Sequence, residues 1–458
     1  MTASRARRKQ IELAAKVTGL RAEFAYWQEI GSATGELREY RTRILAITRP
    51  LALLLDRLAQ AADDPVEDWV ATESRIVGLH QIWDYFREKL TLRHLSFARE
   101  FLDLADDLAW SCYAPALAAA GPAAPVEPPL VHLARTGIPF ALPRGWAFGN
   151  AVDPSGSGLR SDELREAVRE LPVSVIGVPW LQLGHLPEAV VVAHEVGHLV
   201  LDDLGLADPL RAAVVNEFGG GNPQGAAARY WLSVLHEACA DLYGVLALGP
   251  GYALALCDFA ATRPGAATPA GYPPIPDRIS LTADALTVLG LSDQAEAVRT
   301  RWQTEFADYP ALKNTTRFTA LMLNSPLDRL GGRTLASLFP TAEHHTAADR
   351  LARALLDHQP LPQATPDTLV AACALAFSRS PERYHAQQSP TIPARALKHF
   401  RAHRQRGPRA ETPLPPATPQ DQAEAIWHHL TRAANRPAPA AADAADAAAN
   451  AENPRSEA

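Results

Sequence analysis

The chain lacks the features that mark several specialised classes. Cysteine occurs four times, as Cys112, Cys239, Cys257 and Cys373, with no CxxC pair among them. That spacing fits free thiols in a reducing cytosol better than a disulfide framework. Basic residues are not in excess, because the formal net charge is -7. Nucleic-acid binding normally needs a basic face, so no nucleic-acid partner is expected. The basic clusters, Arg5, Arg7, Arg8 and Lys9 at one end and Lys398, Arg401, Arg404 and Arg406 near the other, read as solvated chain. A signal-peptide apolar core is missing, and no apolar run reaches the ~20 residues that cross a bilayer. The expectation is a soluble, cytoplasmic protein with no membrane span.

Aromatic residues are scarce, at 7%, while the apolar share of 47% is ordinary for a globular chain. With alanine abundant, that mix favours helices, since alanine loses no side-chain entropy in one. Five regions follow along the 458 residues. Residues 1–115 read as an N-terminal helical region, with apolar positions at helical spacing in 44–58 and 82–108. Pro50 is expected to break or kink one of its helices. The Ala/Pro-rich residues 116–130 read as a linker. Residues 131–300 differ in character: a helical stretch at 161–171, a β-prone run at 173–183, then two strong helices at about 187–204 and 226–248. Pro187 suits a first helical turn, Gly205 a helix end, and Gly249-Pro250 a stop. Residues 301–405 read as helical again. Residues 406–458 read as a mostly disordered Pro/Ala-rich tail, relieved by a short helix at 421–432.

The chemistry concentrates in one segment. Val190-Val191-Val192-Ala193-His194-Glu195-Val196-Gly197-His198 places HExxH on an apolar helix. Four residues turn about 40° past a full circle and rise ~6 Å, so both imidazoles leave one face and can meet one metal. Glu195 stands beside them, placed to deprotonate a water at that metal. A catalytic zinc needs a third protein ligand and one open position. Asp202 and Asp203, one turn further on the same helix, read better as solvated helix-end carboxylates. Glu237, on the second helix, is the stronger candidate. Asp241 lies one turn beyond it on the same face and is placed to accept the free ring N–H of a ligand histidine. His236 points about 100° away and reads as packing. His399 and His403 repeat the four-residue spacing without the carboxylate or the apolar frame. They read as surface, as do His344-His345 and His428-His429.

HEVGH at 194–198 followed by Glu237-Ala238-Cys239-Ala240-Asp241 resembles the HExxH plus ExxAD pattern of gluzincin metallopeptidases. It is most similar to the group containing the CAAX prenyl endopeptidase and the heat-shock protease HtpX. That group's later HP-x(4)-RI segment has a counterpart in Tyr272-Pro273-Pro274-Ile275-Pro276-Asp277-Arg278-Ile279. The likeness covers about 173–285. It implies zinc on His194, His198 and Glu237, Glu195 as general base, and Asp241 behind the ligands. The implied fold is mostly α (α+β): a zincin-like core with a small sheet and two active-site helices, flanked by helical segments. Tyr272 stands where the family has histidine, and is either an oxyanion donor or a packed aromatic. Arg278 either orients that segment or pairs with a carboxylate. The absent membrane helices set aside prenylated or membrane substrates. The run 173–181, with Pro179, reads as an edge strand to which a substrate peptide can add. The expected activity is zinc-dependent hydrolysis of a protein or peptide. Its alternatives are a zinc-stabilised scaffold of weak activity or a protease gated by a regulatory partner through the helical flanks.

Overall fold

The computed structural model describes residues 3–63, 69–121, 127–142, 162–260, 270–308, 310, 314–386, 390–404 and 419–435. The chain opens with α1 (Ala3–Ile30), α2 (Arg41–Asp63), α3 (Trp69–Thr91) and α4 (Ser96–Ala120). Strands β1 (Leu130–Ala134) and β2 (Phe140–Leu142), helix α5 (Asp162–Arg169) and strand β3 (Val175–Pro179) follow. Helices then fill the rest: α6 (Val191–Asp203), α7 (Ala207–Gly219), α8 (Ala226–Leu248), α9 (Pro250–Ala260), α10 (Ile275–Val288), α11 (Ser292–Glu305) and α12 (Thr316–Asn324). The last are α13 (Thr341–Leu356), α14 (Pro366–Arg379), α15 (Pro381–Tyr384), α16 (Ile392–His403) and α17 (Pro419–Ala434). The mostly helical fold with a small sheet expected from composition is the one observed.

The three strands form one sheet in the order β1-β3-β2, β1 parallel and β2 antiparallel to β3. Side chains alternate across a strand, so the sheet has two faces. Val131, Leu133, Ile176 and Val178 join a core with α4, α6, α8, α10 and α14. Leu130, Leu142 and Val175 join a second core with α1, α2, α3, α5 and α17. Asp106 of α4 pins the junction of these layers. It accepts from Tyr40 at 2.9 Å, Arg93 at 2.7 Å and the Val131 backbone N–H at 2.9 Å. Arg43 lies 3.4 Å away as well.

Several expectations change. The β-prone run holds the central strand, paired with β1 along its whole length and with β2 over its first three residues, and so is not an edge strand. Pro179 is tolerated because it is the last residue of β3, opposite Ala134, where a missing N–H costs no interior ladder bond. The linker expected from residue 116 begins inside α4, which runs to Ala120 because its alanines propagate the helix. Residues 122–126 lie outside the described residues. So α4, expected to belong with the N-terminal region, packs in the same core as α6. Pro50 sits inside an unbroken α2. Ile47, Leu51, Leu54, Leu55 and Leu58 are all buried there, and their packing outweighs the proline's cost of about 3 kcal/mol. The helix expected near 421–432 is α17, while 406–418 and 436–458 lie outside the described residues. By length and composition α8 could cross a bilayer, but 78% of its most apolar window is buried inside the fold. All four cysteines are free and buried.

Candidate metal centre

Helix α6 is entered through a 3-10 turn, Leu186–Val190, with Pro187 near its start. The α-helix proper therefore begins four residues after that proline. It ends at Gly205, whose φ of +62° lets the Leu206 N–H return to the Leu201 carbonyl. Helix α8 crosses α6 at very close range. A Cβ on Gly197 would stand 2.8 Å from the Ala240 Cα and 3.0 Å from the Tyr243 Cβ. Only glycine allows this approach. Gly197 lies between the two histidines, and Ala240 lies between Glu237 and Asp241, so the tightest point of the crossing sits under the motif.

The crossing brings three donor groups together. His194 Nε2 is 3.2 Å from Glu237 Oε2, His198 Nε2 is 3.5 Å from Glu237 Oε1, and the two Nε2 atoms are 3.2 Å apart. Ligands held at 2.0–2.1 Å by a tetrahedral zinc stand about 3.3 Å from one another. The spacing thus already fits that ion, with three protein donors and one vertex left over. Two further observations agree. Glu237 has a side chain only 14% exposed, and its two carboxylate oxygens face the two imidazoles. Glu195, Glu237 and Asp241 also stand close to His194, and Arg278 pairs with Asp241; a divalent cation would offset carboxylate charge there.

Without a cation His194 carries compensation. Burial alone would depress His194, but hydrogen bonds to Asp241 and Glu237 push it up to about 10. Burial alone would raise the Glu237 carboxyl; its bonds with His194 and His198 hold it well below the usual range instead. Glu195 is 5% exposed and follows His194 directly in the chain. Burial raises its carboxyl, and the neighbouring histidines only partly reverse this.

Behind the ligands lies a saturated carboxylate. Asp241 Oδ1 is 3.0 Å from His194 Nδ1, and Arg278 grips both oxygens, with Nε and Nη2 each donating at 2.7 Å. Arg278, from the first turn of α10, thus pairs with a carboxylate. In front, Tyr272 stands against Glu237. Burial raises its phenol, as do the charges of Glu237 and Glu195 and a hydrogen bond to Glu237. Its ring centroid is 5.6 Å from the Arg278 guanidinium carbon.

The structure therefore gathers His194, Glu195, His198, Glu237, Asp241 and Tyr272 in one place. Asp202 and Asp203 stay out of the cluster. Asp203 accepts from Tyr113 at 2.7 Å, tying α6 to α4, and Asp202 lies 3.9 Å from His236. The rings of His399 and His403 on α16 lie tilted with their centroids 4.3 Å apart, and no third ligand joins them among the described residues. One participant had no signal in the sequence. Tyr252, from the first turn of α9, reaches Asp241 Oδ1 at 2.7 Å and His194 Nδ1 at 3.1 Å. A Gly-Pro-Gly-Tyr turn after a helix carries no metal signature, and its one hint is that glycines surround the tyrosine. Comparison with known proteins gives no match: no family model, no curated protein and no solved structure.

Proposed function

We propose that this protein is a zinc-dependent peptidase of the gluzincin type, hydrolysing peptide bonds with Glu195 as general base. The observation that supports this reading most is the convergence of His194, His198 and Glu237 at tetrahedral-zinc spacing, with Glu195 beside them. A purely structural zinc is normally closed by a fourth protein ligand, and none joins this cluster among the described residues.

His194, His198 and Glu237 would hold the ion. When bound, zinc supplies Lewis acidity, which polarises a peptide carbonyl and makes water easier to deprotonate. Glu195 accepts the proton of the attacking water and returns it to the leaving amine. Its burial suits that task, because a carboxyl raised above its usual range holds a proton longer. Tyr272, whose phenol donates to Glu237, would turn that hydrogen to the oxygen on which negative charge grows once it releases the carboxylate. Strand β2 packs against α6 and is an outer strand of the sheet among the described residues, so its outer side is the place offered to an extended substrate backbone.

The test compares wild type, Glu195→Gln and Glu237→Ala, each scored for metal by elemental analysis and for cleavage of a cellular protein extract. Glu195→Gln keeps its zinc and loses about 10²- to 10⁴-fold in rate. Glu237→Ala loses the metal. A Glu195→Gln protein that cleaves as fast as wild type refutes the mechanism.

A further inference from the structure

The path by which Tyr252 arrives at His194 is constructed at each step. Gly249, with φ of +57°, ends α8 and lets the chain fold back, and the Tyr252 N–H then bonds to the Gly249 carbonyl. The Tyr252 ring lies against Gly244, where a Cβ would come within 2.4 Å of a ring carbon. Gly251 seats α9 on α14, since a Cβ there would stand 2.9 Å from the Ala371 carbonyl oxygen. Three glycines thus clear one place for one phenol, which is 2% exposed.

The hydrogen positions around that phenol follow from elimination. The Asp241 carboxylate only accepts, and the Arg278 guanidinium only donates. Asp241 Oδ1 lies 2.7 Å from Arg278 Nη2, 2.7 Å from the Tyr252 oxygen and 3.0 Å from His194 Nδ1. The single phenol hydrogen is therefore directed to Asp241. The lone pairs of the phenol oxygen then face His194 Nδ1 across 3.1 Å. An Nδ1 without its hydrogen would set a lone pair against two oxygen acceptors. An Nδ1 that carries its hydrogen satisfies both.

We propose that Tyr252 is a positioning residue of the metal centre: seated by Asp241, its phenol oxygen fixes His194 with the hydrogen on Nδ1 and the Nε2 lone pair aimed at the ion. This rests on the metal reading above. It adds a second acceptor to the one a ligand histidine ordinarily has, and so restrains the ring about its long axis as well as setting the tautomer. Tyr252 touches neither ion nor substrate, and its effect is read in the affinity for metal.

The experiment is a zinc competition titration of the purified full chain against a chromogenic chelator, with no substrate present. Tyr252→Phe keeps the ring in its glycine slot and removes the oxygen. It should weaken zinc binding by about 10- to 100-fold, the range seen when such outer partners are lost. Tyr40→Phe is the control. That tyrosine, between α1 and α2, is equally buried and also loses its phenol hydrogen bonding, to Asp103 and Asp106, but it lies outside the α6–α8 crossing and does not reach His194. Its zinc affinity should stay at the wild-type value. A second readout is nitrogen NMR of histidine-labelled, zinc-loaded protein. His194 Nδ1 should appear protonated in wild type and shift in Tyr252→Phe alone. Equal losses in the two variants, or unchanged affinity in Tyr252→Phe, overturn the assignment to Tyr252 and leave the metal reading standing. A wild type that binds no divalent metal overturns both.

Discussion

At the scale of single residues, the site shows how burial and partners set a side chain's charge. His185, in the turn before α6, gives the cleanest case away from the metal ligands. Burial lowers its pKa from 6.5 to about 4, with His385 adding to the effect. The rings stack 5.0 Å apart, and His185 Nδ1 lies 2.9 Å from His385 Nε2. Phe377 packs edge-on at 4.6 Å. Below pH 6.5 the unfolded chain therefore binds a proton at His185 that the folded chain refuses. That part of the stability is intact above pH 6.5 and declines as the pH falls towards 4. The melting temperature should drop across this window, and His185→Gln should flatten the drop. A profile identical in the two proteins counts against it. The two histidines of the cluster could be read from sequence because His194 and His198 are one helical turn apart, a purely local relation. Tyr252 could not. Gly249-Pro250 beside it marks where α8 stops, but its partner His194 lies 58 residues earlier in the chain, and no local pattern pairs the two.

Between elements, the α6–α8 crossing governs whether His194, His198 and Glu237 meet. For Gly197→Ala two effects compete. Helix propensity favours alanine by about 1 kcal/mol, while forcing a methyl group into a packed interface costs about 1–3 kcal/mol. Packing should win, because the atom it meets is the Ala240 Cα, 2.8 Å away, and backbone cannot swing aside as a flexible side chain does. Gly197→Ala is expected to melt earlier and to bind less zinc, since separating the helices withdraws Glu237 from the histidines. Unchanged zinc content would mean that the crossing tolerates more distance than the geometry indicates. Sequence periodicity located both helices. It did not show that β3 lies in the middle of the sheet, because Val175 pairs with Leu130, 45 residues earlier, and strand order is a property of such distant partners.

Across the whole molecule, the two cores meet at the sheet and at Asp106. Composition gave no sign of this junction, since an aspartate in an amphipathic helix reads as solvated. Yet Asp106, Arg93 and Arg43 are each at most 1% exposed. Arg93 and Arg43 hold the Asp106 carboxyl below its usual range although burial pushes it up. Asp106→Ala would strand two buried guanidinium groups, which costs about 3–5 kcal/mol. Urea unfolding should show that loss as one transition, because the residue belongs to the seam and not to either core. A change under about 1 kcal/mol would show that water or rearrangement rescues the arginines.

Helix α17 has a consequence for how the protein is made. It completes the first bundle: Ile426 and Leu430 are buried with α2 and α3, and Arg57 bonds to Glu424, 367 residues later. At ribosomal speeds of about 5–20 residues per second, α17 emerges about 20–70 s after the groove it fills. Throughout that interval the nascent bundle presents an unfilled apolar cleft. Chaperone engagement during translation is therefore expected there, at the first helices made, and its release should wait on the last helix in the described chain.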